Sequence, residues 1–526
     1  MPDAKLIVRR LASMRSLRDL HSERWREAFA WTFPERAQSM LLGAEYLTGR
    51  ADLRREIVDS TGTDAAKTLA AGLVGGMVPA NSQWFEMDTG RDDQERANSW
   101  LSEKARETWQ AIHASNFDSI ILEAFVDALG GWCVVYCDEA PEGGFQFEWW
   151  PMGECCIASS RPNRPVDTVY RVRPLTVEQI VNAYGIDNVS DATRKKYVDE
   201  KYDDIVNVLH AIEPRRDGQR GGMSNRLPIA SYIVEVDAMH LVHEGGYHEM
   251  PCFVPRWMML PSSAYATGIL CDVVRDIKSL NKLTVLEQQS ADIAVGGMWK
   301  ARDDGVLNPA TVKLGPRRIA IVDDMDNLQR LDTNTNFQIA ETRIQAIQKQ
   351  IRRSLLADQL EPQDKPQMTA YEVSVRVQMI RQLLGPQFGR FQSEFLNPLV
   401  TRCINLANRA GVLGDAPEGI DFYAIQYENP LAKAQKRERS DTIRAFTEHL
   451  GNLAAVKQDP DVWDVINLDR ANREIADGSG MPTDLLNTPD EIAETRRVRT
   501  EAMQKAQAEA AQQAQAETAM QGMTLQ

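Results

Sequence analysis

The sequence predicts a mainly helical α+β protein, and three patterns carry this prediction. Segments towards both ends place apolar residues at helical spacing. Between about residues 130 and 260, short runs rich in β-branched and aromatic residues alternate with glycine and proline, which is typical of antiparallel strands. Beyond them, two long helices flank an insert, 294–332, that contains short β runs.

The composition sets limits on the class of protein. Of 526 residues, 43% are hydrophobic and 26% are charged, which excludes a wholly disordered chain, a collagen and a disulfide scaffold. No run has the ~18 consecutive apolar residues of a membrane-spanning helix, and the first residues lack the apolar core of a secretion signal. The net charge of −15 argues against a protein that wraps DNA, although DNA could still slide past it.

The elements follow one another in a regular order. Helices are expected over 5–32, 64–78 and 93–129, and Gly72, Gly75 and Gly76 suggest a closely packed neighbouring backbone. Strands are expected in GWCVVYCDEA, GGFQFEWW, ECCIASS and DTVYRVRP and over 203–213, 228–236 and 252–259, with one helix near 176–184 and a polar loop at 217–226. The seven cysteines are interpreted as small buried side chains, with Cys155 and Cys156 on opposite faces of a strand.

The helix pair around the insert is the most regular part of the sequence. The first helix, 264–292, has an apolar stripe made of Ile269, Leu270, Val273, Val274, Ile277, Leu280 and Leu283. The second has a narrow seam of coiled-coil type made of Phe337, Ala340, Ile344, Ile347, Ile351 and Leu355. Such a seam requires a packing partner.

The C-terminal third is again helical. A breaker-rich loop covers 358–368, and a capping box at Thr369 and Glu372 starts a helix that Gly385 and Pro386 should kink. A strand is expected over 420–427. Helices then follow at about 431–455, at 460–477 with Asp459 as N-cap, and from Thr488, before a low-complexity tail.

The sequence contains no recognisable catalytic constellation. There is no phosphate-binding loop, no dinucleotide-binding glycine motif, and no zinc-protease or serine-hydrolase motif. His240, His243 and His248 fit a solvent-facing β-hairpin better than a metal site. The pairs Asp303 with Asp304 and Asp323 with Asp324 fit turn carboxylates better than a divalent-ion site.

Positive charge is concentrated in one helix. Residues 337–357 contain Arg343, Lys349, Arg352 and Arg353 against Glu341 alone, and Lys365 follows in the next loop. In a single chain this would be a solvated helix face. If copies surround an axis, the same residues would line a pore as rings of cations.

The order of these elements resembles that of the portal, or head-to-tail connector, proteins of bacteriophages of the short-tailed podovirus type. The resemblance covers about residues 20 to 500. It lies in FAWTFPE, in AAKTLAAGLVGGMVPANSQWFEMD at 65–88, in LPSSAYATGILCDVVRDIKSLNKLTVLEQQ at 260–289, in FGRFQSEFLNPLV and in DFYAIQYENPLAKAQKRE.

The resemblance implies a dodecameric ring with a central channel and a portal fold of named regions. These regions would be a wing at 1–263 and 369–430, stem helices at 264–293 and 333–357, a clip at 294–332, a tunnel loop at 358–368, crown helices at 431–506 and a flexible tail at 507–526. Arg343, Lys349, Arg352, Arg353 and Lys365 would face DNA. Ile277, Leu280, Ile344, Ile347 and Ile351 would form stem packing and the contact between copies, and Lys313, Arg317 and Arg318 would serve docking at the clip.

The resemblance also implies the partners. Double-stranded DNA would pass through the channel in packaging and ejection. The terminase large subunit would dock first and the tail adaptor and nozzle proteins later, while major capsid and scaffolding proteins, and possible internal core or ejection proteins, would surround the ring. The protein would be made in the host cytoplasm and reside at the capsid portal vertex, without membrane contact, cofactor or enzymatic activity.

Two alternatives remain at this point. A metal-dependent α+β enzyme would use the acidic pairs and be a monomer or dimer, but no motif supports it. Another virion head or tail protein, such as an adaptor, would be expected to be shorter and would leave the helix–insert–helix order unexplained.

Overall fold

The computed structural model describes most of the chain. The described residues are 4–38, 40, 57–89, 95–162, 164–215, 227–296, 298–301, 328–331, 337–360, 385–414, 424–426, 430–457, 465–479 and 491–505. Contacts divide the chain into two units, Met1–Tyr427 and Glu428–Gln526. The mainly helical α+β class is confirmed. None of the described helices has both the length and the apolar character needed to cross a membrane.

Helices make up much of the first unit. They are α1 (Ala4–Ala30), α2 (Pro34–Gln38), α3 (Thr61–Met77), α4 (Glu95–Ala114), α5 (Phe117–Gly130), α6 (Val177–Tyr184), α7 (Asp191–Val198), α8 (Ile269–Gly296), α9 (Phe337–Ser354), α10 (Ala357–Leu360), α11 (Gly385–Phe391) and α12 (Asn397–Arg409), with a π-helical turn at Gln392–Leu396 between the last two.

The sequence predicted the ends of α1, α3 and α6 to within three residues, but it merged α4 and α5 into one helix. The break comes at Asn116, whose side chain makes two hydrogen bonds to the backbone of Phe147. Its Nδ2 donates to the carbonyl at 2.7 Å, and its Oδ1 accepts from the amide at 2.9 Å. Asn116 thus joins the end of α4 to a strand, and a new helix starts at the next residue.

The strands are antiparallel throughout. They are β1 (Glu86–Asp88), β2 (Val134–Glu139), β3 (Phe145–Trp150), β4 (Cys155–Ala158), β5 (Thr168–Thr176), β6 (Ile205–Pro214), β7 (Ile229–Glu235), β8 (His240–Tyr247), β9 (Cys252–Phe253), β10 (Met258–Met259), β11 (Ala266–Thr267), β12 (Met298–Ala301), β13 (Leu328–Leu331) and β14 (Ala424–Gln426). They form a sheet β4-β5-β6-β7-β8, a sheet β3-β2-β9 and the pairs β1–β14, β10–β11 and β12–β13. The β-rich middle region is confirmed, while loop 217–226 lies outside the described residues.

The five-stranded sheet is covered by helices on both faces. Alternate residues of its strands point to opposite sides, so each face has its own apolar cluster. One cluster joins α1 to the sheet and contains Ala4, Ile7, Leu11, Met14, Cys156, Tyr170, Val172, Leu209, Ala211, Ala230, Tyr232 and Val234. The other joins α6 and the α6–α7 segment to the opposite face and contains Val177, Ile180, Val181, Val189, Val206, Val208, Ile233 and Val242. Cys155 and Cys156 do lie on opposite faces, because Cys155 belongs to the main core.

Helix α7 was not predicted, because its sequence DATRKKYV lacks an apolar stripe. Its position depends on a buried carboxylate instead. Glu235, on β7, accepts hydrogen bonds from the Ser190 amide at 2.9 Å and from the Thr193 hydroxyl at 2.7 Å. The Ser190 hydroxyl in turn accepts from the Thr193 amide and caps the helix.

The main core joins the C-terminal half of α1 to α3, α4, α5, α8 and α12. Two backbone segments approach closely at Gly268, where an added Cβ would lie 2.0 Å from the Leu129 carbonyl oxygen. The prediction that glycines of α3 mark such an approach is wrong for Gly75 and Gly76, because a Cβ there meets open space.

The second unit contains α13 (Pro430–Lys457), α14 (Leu468–Ser479) and a helix at 491–505. The Ser440 hydroxyl on α13 donates to the Ile475 carbonyl on α14 at 3.1 Å. The sequence predicted one helix over 460–477 with Asp459 as its N-cap; Asp459 lies outside the described residues, and the helix is not continuous over this range. Residues 465–467 are not α-helical, and the Asn467 side chain accepts from the Arg470 amide at 3.1 Å, so α14 is capped at Asn467.

Candidate functional site: the paired helices α8 and α9

Helices α8 and α9 are connected through a short antiparallel β pair. Strand β12 directly follows α8 and pairs with β13, with Met298 opposite Leu331 and Ala301 opposite Leu328. The helix–insert–helix order predicted from the sequence is therefore confirmed. The predicted docking residues Lys313, Arg317 and Arg318 and both acidic pairs lie outside the described residues.

The apolar stripes of the two helices are buried within one chain. Ile277, Leu280 and Ile351 are fully buried, Ile344 is nearly so, and Ile347 packs against the same core half-buried. The predicted packing role of these five residues fits this arrangement. The four buried side chains have no surface left to offer a second copy, so a contact between copies has to use exposed residues.

A polar cluster joins α8 and α9 to the segment before α3. The Asn281 side-chain oxygen accepts from the amides of Val58 and Asp59 at 2.7 and 3.0 Å. The Asp59 carboxylate then accepts from the Thr61 amide and from the Gln348 side chain on α9, both at 2.8 Å. This cluster was not predicted from the sequence, although one signal was available: Asn281 is a polar residue four positions after Ile277 on the buried stripe.

The basic residues of α9 lie largely on its exposed surface. Arg343, Lys349 and Arg353 are exposed, and no ion pair joins them to another described residue. Lys349 and Arg353 are four positions apart, so they share one face, and that face is opposite the buried seam. Arg352 is half-buried and has an interaction of its own, while Lys365 lies outside the described residues. The helix therefore presents at least three cations for contact with an anionic partner.

The histidines of β8 do not form a metal site. The strand has a register shift between its pairs Ile233–His243 and Val234–Leu241. His240 contacts the Asn188 carbonyl through Nε2 at 3.0 Å, whereas His243 stacks near Tyr184 with ring centroids 6.2 Å apart. Within the described part of the chain, no group of three or more potential ligands is arranged to hold a metal ion.

Three ionic clusters in the first unit join segments that are far apart in the sequence. In the first, Arg256 pairs with Glu394 on the π-helical turn through its Nε at 3.0 Å and through a second nitrogen, and its Nη1 donates to the Ala264 carbonyl at 3.3 Å. In the second, Arg402 donates from Nε to the Cys137 carbonyl at 2.8 Å and pairs with Asp138 at 3.3 Å. Neither pairing could be predicted from the sequence, because the partners are more than a hundred residues apart.

The third cluster surrounds Asp127 on α5. Its carboxylate accepts from Arg36 at 2.7 Å and from the Trp149 indole and the Met152 amide, both at 2.9 Å. Burial raises the pKa of the Asp127 carboxyl above its ordinary value, and these donors, with the Arg36 charge, oppose the rise. The Arg36 guanidinium also lies over the Trp149 ring, 4.0 Å from its centroid. The cluster locks α2 onto α5 and β3.

Comparisons with known proteins show which family the chain is similar to. A family described as bacteriophage head to tail connecting protein matches residues 4–486. The chain is 26% identical over 540 residues to a "Probable portal protein" of Bordetella phage BPP-1, a match that covers 96% of this chain and 92% of the relative. It is 25% identical over 529 residues to a "Portal protein" of Salmonella phage epsilon15, covering 95% and 92%. The resemblance seen in the sequence is confirmed: the chain belongs to the bacteriophage head-to-tail connecting protein family.

Proposed function

We propose that this chain is a portal subunit, and that its copies form a dodecameric ring at one capsid vertex. The ring serves as the channel through which genome DNA is packaged and ejected, and it links head to tail. The family match over residues 4–486 is the observation that carries this proposal. Proteins of this family are structural virion components and not enzymes.

The regions of the proposed portal follow the order of elements. Helices α8 and α9 are the stem, residues 294–332 are the clip, residues 358–368 are the tunnel loop, and the helices from 431 to 506 are the crown. The wing combines residues 1–263 with 369–430. The α8–β12–β13–α9 connection supports the stem–clip–stem assignment, because two packed helices separated by a β pair can reach out from the body.

The electrostatics support a DNA channel. A chain with a net charge of −15 repels phosphates over most of its surface, which keeps DNA mobile. The exposed cations Arg343, Lys349 and Arg353 provide local attraction on α9, and Lys365 adds a charge in the tunnel loop. Rings of these residues would centre or slow the duplex without holding it tightly.

The proposed partners follow from the same architecture. The clip, with Lys313, Arg317 and Arg318, docks the terminase large subunit during packaging and then the tail adaptor and nozzle proteins. Major capsid and scaffolding proteins contact the outside of the ring, and internal core or ejection proteins contact its inner end. The protein itself requires no cofactor.

Native mass spectrometry with negative-stain imaging of the purified chain tests the proposal. The expected result is a ring near twelve times the 59.1 kDa subunit mass, with a central hole. A chain that stays monomeric or dimeric, both alone and with scaffolding and capsid proteins, would contradict the ring and would favour the enzyme alternative.

A further inference from the structure

A polar cavity of about 350 Å³ lies between the five-stranded sheet, the hairpin β2–β3 and the end of α6. It contains a row of residues at directly opposite positions on four neighbouring strands, namely Arg171 on β5, His210 on β6, Ile233 on β7 and His243 on β8. Opposite residues of antiparallel strands share one face of a sheet, here the face that α6 packs against. The volume is at the small end of the range for ligand sites.

Aromatic side chains surround the cavity. Trp150 on β3 stacks with Tyr136 on β2, with 5.0 Å between the ring centroids, and the centroid of the His210 ring lies 5.2 Å from that of Trp150. At the end of α6, Tyr184 lies beside His243. The cavity is therefore lined by packed rings on regular elements, as expected of a preformed site.

A chain of hydrogen bonds fixes the positions of the protons along one side of the cavity. Tyr136 donates its proton to the Asp138 carboxylate at 2.6 Å, so the Tyr247 hydroxyl, 2.9 Å away, has to donate to Tyr136. Ser231 in turn donates to Tyr247. The Ser231 oxygen therefore accepts from His210 Nε2 at 2.9 Å. The Asp138 carboxylate is engaged in this chain and does not line the cavity.

The charge of Arg171 is compensated within the protein. Its Nε donates to the Glu154 carboxylate at 2.8 Å, and its Nη1 donates to Glu148 at 3.2 Å. Glu148 also accepts from the Trp150 indole at 3.0 Å. These two carboxylates therefore already have their donors, and neither leaves the cavity with an excess of negative charge.

Arg173 is the cation of the cavity that has no carboxylate partner. It lies two residues after Arg171 on β5, so it shares the same face of the sheet. It donates to the Tyr184 hydroxyl, and no ion pair joins it to another residue in the described part of the chain. Glu235 lies two strands away in the same row, but donors at the start of α7 occupy it.

The remaining ring of the cavity wall adds no charge. Burial, with the charges of Arg173, Arg171 and His243, lowers the pKa of His210 to about 3, so this imidazole is neutral at pH 7. One positive charge, that of Arg173, is thus left to be matched. A carboxylate carries one negative charge and suits the planar guanidinium, whereas a phosphate group carries about 1.5 to 2 charges.

We infer that this cavity is a binding site for a single carboxylate group, which pairs with Arg173. The carboxylate belongs to a small molecule or to an acidic side chain of a partner protein, since both present the same chemistry. The inference does not depend on the proposed ring, because all the residues that carry it belong to one chain.

Isothermal titration calorimetry of the full chain tests the site with sodium benzoate. The expected result is saturable binding of one benzoate per subunit, weakened about tenfold in Arg173→Met, which loses the charge-assisted hydrogen bond. The thermal midpoint of the variant shows whether it is folded. The matched control is Lys195→Met, which removes an exposed cation of α7 outside the cavity, and it should bind benzoate as the wild type does.

A variant with the opposite expected effect excludes misfolding as the cause. Glu148→Gln can still accept from the Trp150 indole, but it removes the negative charge beside Arg171. It should therefore bind benzoate several-fold more tightly than the wild type, a gain that a damaged fold would not give. Weaker binding in this variant would overturn the assignment of an anionic ligand.

Two further probes distinguish the source of the carboxylate from other anions. N-acetylaspartate N-methylamide carries its only charge on the side chain, so tighter binding of this compound than of benzoate assigns the site to a partner's acidic side chain. Tighter binding of benzoate assigns it to a small molecule. Inorganic phosphate should bind more weakly than both.

Three results would overturn the inference and leave the portal proposal standing. They are the absence of saturable binding of either carboxylate, equal affinity in Arg173→Met and the wild type, and phosphate binding as tight as that of the carboxylates. A chain that binds benzoate as expected but never assembles would contradict the ring alone.

Discussion

The body of the first unit and the outer surface of α9 both contain basic side chains, but they place them in opposite environments. In the body, Arg256 and Arg402 are each 2% exposed and bonded to carboxylates and backbone carbonyls. On α9, Lys349 and Arg353 face solvent. A buried guanidinium must satisfy its donors within the protein, so its role is structural. An exposed cation keeps its donors available for a passing phosphate.

The largest effect in this comparison is expected at Arg256. The change Arg256→Met leaves the Glu394 carboxylate buried without its partner. We expect the free energy of unfolding to fall by about 3–5 kcal/mol, as measured by urea denaturation. The matched control Lys349→Met should change it by no more than about 0.5 kcal/mol.

A double variant tests whether the unpaired charge of Glu394 causes the loss of stability. Arg256→Met with Glu394→Leu removes both charges and should recover part of the loss, because two apolar side chains can replace a buried ion pair. If the single variant is as stable as the wild type, the structural role of the pair is refuted.

An effect of intermediate size is expected at His210. Its exposure is intermediate between that of the buried arginines and that of the solvent-facing cations of α9. It is half-buried on β6, with its Nε2 2.9 Å from the Ser231 hydroxyl. Burial, with the charges of Arg173, Arg171 and His243, lowers the pKa of His210 to about 3. The folded protein therefore keeps this imidazole neutral at a pH where the unfolded chain, with an ordinary pKa of 6.5, takes up a proton.

His210 makes the folded protein less stable as the pH falls below the ordinary pKa of histidine. As the pH falls from 6.5 towards 3, the unfolded state binds the proton first, so His210 lowers the stability progressively over this window. The variant His210→Gln can still hydrogen-bond to Ser231 but does not titrate. Urea denaturation at pH 7 and pH 5 should show a smaller loss for the variant than for the wild type, and equal losses would show that His210 does not contribute.

The contrast between buried and exposed basic residues also explains which features could be predicted from the sequence. Helix α8 was predicted because Leu270, Val273, Ile277 and Leu280 repeat at the helical period, which any local window shows. The pairing of Arg256 with Glu394 could not be predicted, because it joins residues that are 138 positions apart and share no sequence pattern. Local sequence therefore shows that a residue is basic, and only the fold shows whether it is enclosed.

The apolar seam of α9 shows that prediction from the sequence has the same limit for apolar residues. The spacing of Ile344 and Ile351 indicated that the helix packs against a partner, and the structure confirms this. Periodicity does not say whether that partner lies in the same chain or in a neighbouring one. The structure places the partner within the chain, and this leaves the exposed side of α9 for other contacts.

The smallest effect on stability, but a clear effect on function, is expected from the exposed cations. The double change Lys349→Glu with Arg353→Glu reverses two charges on the solvent side of α9, so the free energy of unfolding should change by no more than about 0.5 kcal/mol. Rings should still form, because neither residue contributes to the buried seam. Particles built with this variant should retain several-fold less DNA, and raising the salt concentration should reduce the difference from the wild type.

The control Arg161→Glu with Arg164→Glu makes the same change in charge on the exposed β4–β5 loop. It should leave DNA retention unchanged, because the proposal places this loop in the wing, away from the channel. Equal DNA content in particles of the α9 variant, the loop variant and the wild type would refute a DNA-facing role for α9. A loss of DNA in both variants would assign the effect to net charge. A loss of DNA in the α9 variant alone would require that the solvent side of α9 contacts the duplex.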